Sequence, residues 1–328
     1  SSAIYTFLIK GRKYNALFTV APNLTFVFPQ AAFIHDILCL SRKNRTIRIR
    51  ESIVACSRYD NIGTKPKETT MTLSEEQTTQ FEKDGYLVVE GLLTEEEIAT
   101  LRQRTEDIAE GIIAFPDGKL EFEPGFSDQQ NKIANLRKIN APAQHDDFFV
   151  KHAQNPAILN AIESLLGPNI KLFSDQLFVK PPGGSEKTYH QDSPYFKIEP
   201  MALVTAWVAL DDVTLDNGCM YVIPGSQQKG PFDHSEPWNV GDRIDMRIPD
   251  KVVAENVAVR KEESITMKAG GCSFHHSLIM HRSGPNNTSN FRRGLATHYM
   301  SSQSKWTGEP VDKPDYLLLR GVEFPGCV

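Results

Sequence analysis

Residues 170–192 read IKLFSDQLFVKPPGGSEKTYHQD, and the character of the fold is set in this stretch. A β-rich run (170–180) is followed by the turn cluster Pro181-Pro182-Gly183-Gly184 and then by Tyr189-His190-Gln191-Asp192. Similar short runs recur at 203–210, 219–223, 263–267, 272–276 and 294–300. Clusters such as Asp216-Asn217-Gly218 and Ala269-Gly270-Gly271 separate them, and residues of these types serve tight backbone turns. Many short strands divided by Gly/Pro turns predict a mainly β protein, a sandwich or jelly roll. Residues 224–261 are polar and proline-containing, and so read as a lid or insertion rather than core.

Upstream the grammar is helical. Ser74-Glu75-Glu76-Gln77 and Thr94-Glu95-Glu96-Glu97 are capping boxes, in which the hydroxyl accepts from a free backbone N–H and the longer side chain reaches back. The first predicts a short helix ending at Gly85, followed by a strand Tyr86-Leu87-Val88-Val89. The second predicts a helix burying Ile98, Leu101 and Ile108 along one face. Asn155-Pro156 opens a third helix, running to Leu166 and stopped by Gly167.

The chain has 328 residues and a formal net charge of −5, unevenly placed. Residues 1–70 carry 11 Lys/Arg against 4 Asp/Glu, a net of +7, and the remainder carries −12. Met71 is the first methionine, and regular helix and strand patterning starts there. Residues 1–70 are therefore expected to be an N-terminal extension without a core of its own, and 71–328 the folded domain, translation starting naturally at Met71. The competing readings are a targeting segment, since the stretch is basic and poor in acids, or a small extra domain. No apolar run approaches the roughly 18 residues of a membrane span, and an acidic domain offers no footprint for nucleic acid. Cys39, Cys56, Cys219, Cys272 and Cys327 form no C-x-x-C pair, which points to reduced thiols and a cytoplasmic location, with organelle targeting by residues 1–70 left open.

The chemistry starts from His190-x-Asp192. On an extended segment, residues two apart face the same side, so one imidazole and one carboxylate converge. Iron(II) in oxygenases is held by two His and one carboxylate on one face, leaving positions open. A second imidazole must come from a distant strand, and spacing leaves His275, His276, His281 and His298 all open. Arg292-Arg293 enters the last β run. An inward-pointing guanidinium needs an anionic partner, whereas a rim arginine makes a surface ion pair, the reading expected of one member of the pair.

His190-x-Asp192, Trp207, Asp216-Asn217-Gly218-Cys219, Ile223-Pro224-Gly225-Ser226, His281-x-Ser283 and Arg292, in this order and spacing, resemble the phytanoyl-CoA dioxygenase family. The opening FEKDGYLVVEGLLTEEEI (81–98) also resembles the start of that family's domain, and the likeness extends to about Trp306. The resemblance implies a double-stranded β-helix of cupin-like, jelly-roll type that uses Fe(II), 2-oxoglutarate and O2. It implies His190, Asp192 and His281 as metal ligands and catalytic centre, Arg292 on the distal carboxylate of 2-oxoglutarate, and Ser283 beside it. Lys138, Gln176 and Trp207 would line the cosubstrate pocket. Lys138 has a rival reading as an exposed base and Trp207 as core. The implied reaction hydroxylates an unactivated C–H of a small organic molecule and releases succinate and CO2. Asp192 favours hydroxylation, because a related halogenating branch lacks that carboxylate.

Three other functions compete. A cupin-like metal enzyme that does not use 2-oxoglutarate would not need Arg292. A non-catalytic small-molecule binding protein would not need the complete His/Asp/His/Arg set, and a nucleic-acid demethylase is disfavoured by the acidic domain. The substrate pocket is expected to take its walls from residues 111–137 and 224–261. Substrate identity and oligomeric state are not written in these patterns.

Overall fold

The computed structural model describes residues 2–9, 12–19, 72–123, 132–240 and 243–328. The chain divides into two compact units, residues 1–67 and 68–328. In the first, β1 (Ser2–Ile9) and β2 (Arg12–Thr19) pair as an antiparallel hairpin. The expectation that residues 1–70 lack a core concerns side chains that lie outside the described residues.

The second unit opens with α1 (Glu75–Asp84), β3 (Tyr86–Val89) and α2 (Glu95–Ala109). Both capping boxes form, and Gly85 closes α1 in the left-handed region at φ 79°. Next come β4 (Leu120–Phe122), β5 (Leu136–Asn140), α3 (Asp147–Ala153) and α4 (Pro156–Leu166), the last capped by Asn155 as its Asn-Pro start predicts. The β region follows as β6 (Ile170–Lys180), β7 (Lys187–His190), β8 (Ile198–Glu199), β9 (Val204–Ala209) and β10 (Met220–Val222). Residues 224–261 are more ordered than a bare lid: they hold the hairpin β11 (Glu236–Val240) and β12 (Arg243–Arg247) and the helix α5 (Asp250–Val259). The chain ends with β13 (Glu263–Ile265), β14 (Cys272–His276), β15 (His281–Ser283), β16 (Arg292–Ser301), β17 (Lys305–Trp306) and β18 (Leu318–Arg320).

The strands build two main sheets, antiparallel throughout. The large sheet runs β3-β14-β9-β16-β6-β5-β4, with β18 added to β6; the small sheet runs β13-β10-β15-β7. Trp207, Ala209 and Ala296 of the large sheet cluster with Val222 and Ile265 of the small one, which closes the pair into a double-stranded β-helix, the cupin-like jelly roll.

Because successive side chains alternate across a strand, register assigns the faces. Leu87, Phe274, Val208, Leu295, Leu177 and Ile139 point outward and bury against Phe81, Ile98, Leu101, Phe149 and Ile158 from the helices. Each of these large side chains removed from water contributes about 1.5–3 kcal/mol. The opposite parity, Lys138, Gln176, Lys180, Arg292, Ala296, His298, Trp207 and His275, faces the small sheet. That inner face is where polar groups collect. Among the described residues, no helix is long and apolar enough to cross a membrane. Cys219, Cys272 and Cys327 are free thiols, the first two buried; Cys39 and Cys56 lie outside the described residues.

Candidate active site

β7 and β15 are hydrogen-bonded neighbours, and their register sets His190 directly opposite His281. The ring centroids are 4.1 Å apart. Asp192 does not lie on an extended segment as expected. β7 ends at His190, and Asp192 adopts a helical backbone (φ −77°, ψ −47°) at the start of a short turn, Ser193–Tyr195. That turn, rather than strand parity, swings its carboxylate back beneath the imidazoles. One ligating atom from each of His190, Asp192 and His281 lies within 4.8 Å of the others.

The tautomers are fixed by the local backbone. Nδ1 of His190 donates to the Thr188 carbonyl at 2.8 Å, and Nδ1 of His281 to the Ile279 carbonyl at 3.1 Å. Each Nε2 is left with a lone pair aimed at the centre, the usual way a ligating histidine is oriented. The two Nε2 atoms stand 3.9 and 3.8 Å from Asp192 Oδ1. These distances are too long for hydrogen bonds, yet lie within the span of two roughly 2.0–2.2 Å bonds to a shared ion. Burial and the facing His281 hold the His190 imidazole well below its ordinary pKa, and so neutral. Burial pushes the Asp192 carboxyl upward, but His281, His298, His190 and His275 around it outweigh that and leave it at about 2. A neutral His190 imidazole beside an ionised carboxylate suits binding of a divalent metal, and the His/Asp/His donor set present fits an iron(II) ion.

The other histidines have different surroundings. His276 packs against Phe81, and its Nδ1 accepts from the Leu278 N–H at 3.0 Å, a structural role. His298 is hydrogen-bonded through Nδ1 to Thr205 Oγ1 at 2.8 Å. His275 stands behind the site, its Nε2 4.0 Å from Asp192 Oδ2 and its Nδ1 buried without a partner.

The two arginines separate cleanly. Arg293 faces the helices and is paired with Asp211 through Nε and Nη2 (2.9 and 3.0 Å) and with Glu106 through Nη1 (2.7 Å). Arg292 faces the cleft between the sheets. Its Nη2 donates to the Gly218 carbonyl at 3.0 Å, its Nε is buried without a partner, and its guanidinium lies 5.4 Å from the Trp207 ring centre. Burial lowers its pKa to about 10. A buried guanidinium with no carboxylate at ion-pair distance among the described residues is suited to an anion.

Trp207 is both core and wall: it is 9% exposed, and Gly294 is required beside it, since a Cβ there would sit 2.0 Å from the indole. Gln176 is half-buried on the inner face opposite Ala296. Lys138 also points inward, with Nζ 3.1 Å from Glu121 and 6.0 Å from the Phe178 ring centre, so it is not the exposed base of its rival reading. Ser283 Oγ accepts from Lys180 Nζ at 3.1 Å.

Two residues were not foreseen. Lys180 has only the sequence signature of a strand end, although it shares parity with Gln176. Gln191, the middle residue of His-x-Asp, is fully buried and bolts residues 224–261 to the ligand strand. Its amide donates to the Gly230 and Leu278 carbonyls, its side-chain oxygen accepts from Phe232 N, and its backbone N–H donates to His234 Nε2. Lys187 to Asp245 (2.6 Å) and Tyr195 to the Met246 carbonyl (3.2 Å) add to that seam. Of the expected wall at 111–137, residues 124–131 lie outside the described residues.

Comparison with known proteins bears on the family and the fold. Residues 81–294 match the family model of phytanoyl-CoA dioxygenase. The peroxisomal phytanoyl-CoA dioxygenase of Homo sapiens is 30% identical, over 70% of this chain and 69% of the relative. Among solved structures, EctD from S. alaskensis with 2-oxoglutarate and 5-hydroxyectoine superposes with a TM-score of 0.60 at 22% identity, covering 78% of this chain and 86% of that one. The epimerase SnoN, in complex with Fe3+, alpha ketoglutarate and nogalamycin RO, does so with a TM-score of 0.56 at 22% identity, covering 77% and 95%. The chain belongs to the phytanoyl-CoA dioxygenase family of Fe(II)- and 2-oxoglutarate-dependent oxygenases.

Proposed function

We propose that residues 71–328 form a hydroxylase that inserts oxygen into an unactivated C–H bond of a small organic molecule, with release of succinate and CO2. His190, Asp192 and His281 are its iron ligands, and Arg292 with Ser283 holds the distal carboxylate of 2-oxoglutarate. The observation that carries this reading is the meeting of three preset ligand atoms, both imidazoles locked by their own backbone carbonyls, at a cleft that also buries a guanidinium without a carboxylate.

When bound, iron(II) with 2-oxoglutarate supplies the O2-dependent oxidising chemistry. The chain's own residues position and enclose. Neutral His190 and ionised Asp192 hold the ion without competing protons. Trp207 and Ala296 floor the cosubstrate slot with apolar surface, which excludes water and strengthens the pairing of Arg292 with a carboxylate. The seam through Gln191 fixes the 224–261 wall against the ligand strand, so substrate and metal share one rigid frame.

The supporting feature for hydroxylation over halogenation is Asp192 itself, which fills the position a halide would need. Related folds also epimerise, as the name of SnoN states. The test is succinate release from anaerobically iron-loaded protein across a substrate library, with mass analysis of the product. A gain of one oxygen atom supports the proposal, and turnover without oxygen gain replaces it with an epimerase-like reaction. His281→Ala and Asp192→Ala should each lower turnover more than the roughly 10²–10³-fold loss of a single polar contact, with loss of bound iron. Full activity in His281→Ala would shift the ligand role to His275.

A further inference from the structure

Lys180 is the last residue of β6, and its register partner is Arg292, the first of β16. Both side chains are buried on the inner face. Lys180 Nζ donates to Ser283 Oγ at 3.1 Å and to the Gly284 carbonyl at 2.5 Å. Arg292 Nη2 donates to the Gly218 carbonyl, and Gly218 packs so closely that a Cβ there would lie 2.8 Å from Lys180 Cδ. Neither cation has a carboxylate within ion-pair distance among the described residues. Two buried like charges side by side are unfavourable, which favours the neutral amine in the empty slot, and an anion with two acceptor oxygens placed between the two groups restores the charged form.

We propose that Lys180 is a second cationic arm of the cosubstrate slot, holding the distal carboxylate of 2-oxoglutarate together with Arg292 and Ser283. This rests on the reading of Arg292 given above. Ser283 Oγ accepts from Lys180, which leaves its own hydrogen free to donate to the incoming carboxylate. Arg292 contributes the Nε that has no partner. One carboxylate thus meets a guanidinium, a hydroxyl and an ammonium.

The surroundings make this arm proton-linked. Burial, with Arg292 and Arg137, lowers the Lys180 pKa to about 6 against the opposing pull of Glu123 and Glu186. Cys219 is a further titratable neighbour, its thiol raised by burial. At neutral pH the empty arm is therefore largely uncharged, and it takes up a proton as the carboxylate arrives. Binding then weakens as pH rises above 6, approaching about tenfold per pH unit.

The test is calorimetric titration of the zinc-loaded full chain with 2-oxoglutarate and, in parallel, with pyruvate, which lacks the distal carboxylate. Lys180→Met is expected to weaken 2-oxoglutarate binding about ten- to hundredfold, the loss of one charge-assisted bond, and to leave pyruvate unchanged. The wild-type pH slope between 6 and 8 should flatten in Lys180→Met and in Lys180→Arg, whose charge is permanent. Unchanged 2-oxoglutarate affinity in Lys180→Met, or equal losses for both keto acids, would overturn the assignment and leave Lys180 as a brace for the loop at Gly284. If Lys180→Met fails to fold, the wild-type slope and the Lys180→Arg slope decide alone, and a flat wild-type profile overturns it. Wild-type protein that binds pyruvate but no 2-oxoglutarate more tightly would instead remove the Arg292 reading itself.

Discussion

On β16, Arg292 faces the cleft between the sheets and Arg293 faces the helices, one residue and one flip of the pleat apart. Around Arg293, two carboxylates complete the outer face, where Leu295 and Tyr299 are fully buried against helical side chains. Around Arg292 the inner face holds the buried Lys180 amine, an orphaned Nε, a tryptophan and histidines. Arg293 has its charge met by the chain itself, whereas Arg292 keeps a buried Nε without a partner, as the proposed cosubstrate slot requires. Unpaired buried charge costs stability, which is the cost the proposed 2-oxoglutarate site would offset.

That contrast can be broken or sharpened on the outer face first. Leu295→Ala should cost about 2–5 kcal/mol of folding stability by opening a cavity, read by denaturant unfolding, while turnover per folded molecule stays unchanged. A fall in activity greater than the loss of folded protein would show that the two faces are coupled.

Asp175, also of outer parity on β6, comes second. Burial raises its carboxyl pKa to about 7 against the Ala143 N–H bonds that lower it. The native state therefore keeps a proton that the unfolded chain, with a carboxyl pKa of about 4, releases. Stability should fall as pH rises from about 4 to 7 and level off above that, by up to about 4 kcal/mol. Asp175→Asn should flatten the profile in unfolding measured across that range, and an unchanged slope would place its origin elsewhere.

The smallest effects come from the arginines themselves. Arg293→Met should destabilise by about 1–3 kcal/mol, because Asp211 and Glu106 lose a charged donor, and should leave 2-oxoglutarate affinity intact. Arg292→Met should be neutral or stabilising in the ligand-free protein, since an unpaired buried ion is replaced by an apolar chain, and should weaken 2-oxoglutarate binding. Matched melting curves and titrations of the two variants would show whether these opposite signs hold.

Much of this was legible in the sequence because local signals and tertiary demand agree. The boxes at Ser74 and Thr94, the Asn155-Pro156 start and the 170–180 and 272–276 runs all form as their residues dictate. Spacing left four histidines open for the second imidazole; the structure brings His281 opposite His190 because β15 pairs with β7, a long-range fact no local pattern encodes. Asp192 converged for a reason other than the parity expected of it, a turn starting at Ser193. Residues 224–261 read as lid because their anchors are long-range: Gly230 and Phe232 are tied to Gln191, and Val252, Val253 and Val257 of α5 pack on Tyr189, Ile223, Ile248 and Met280. Lys180 escaped notice since a lysine ending a strand ordinarily reaches solvent, and only its shared register with Arg292 reveals otherwise.

His190 and His281 come from two adjacent strands of the small sheet, whereas Arg292 and Lys180 come from two adjacent strands of the large one. In the proposed function the small sheet would thus grip the metal and the large sheet would supply the cationic reach toward the far end of the keto acid, with Ser283 of β15 bridging the two. Substitutions that alter how far the halves stand apart would retune which length of diacid is accepted while leaving the ion's own cradle untouched, so descendants of this scaffold can change cosubstrate or substrate fit without first having to reinvent their metal centre.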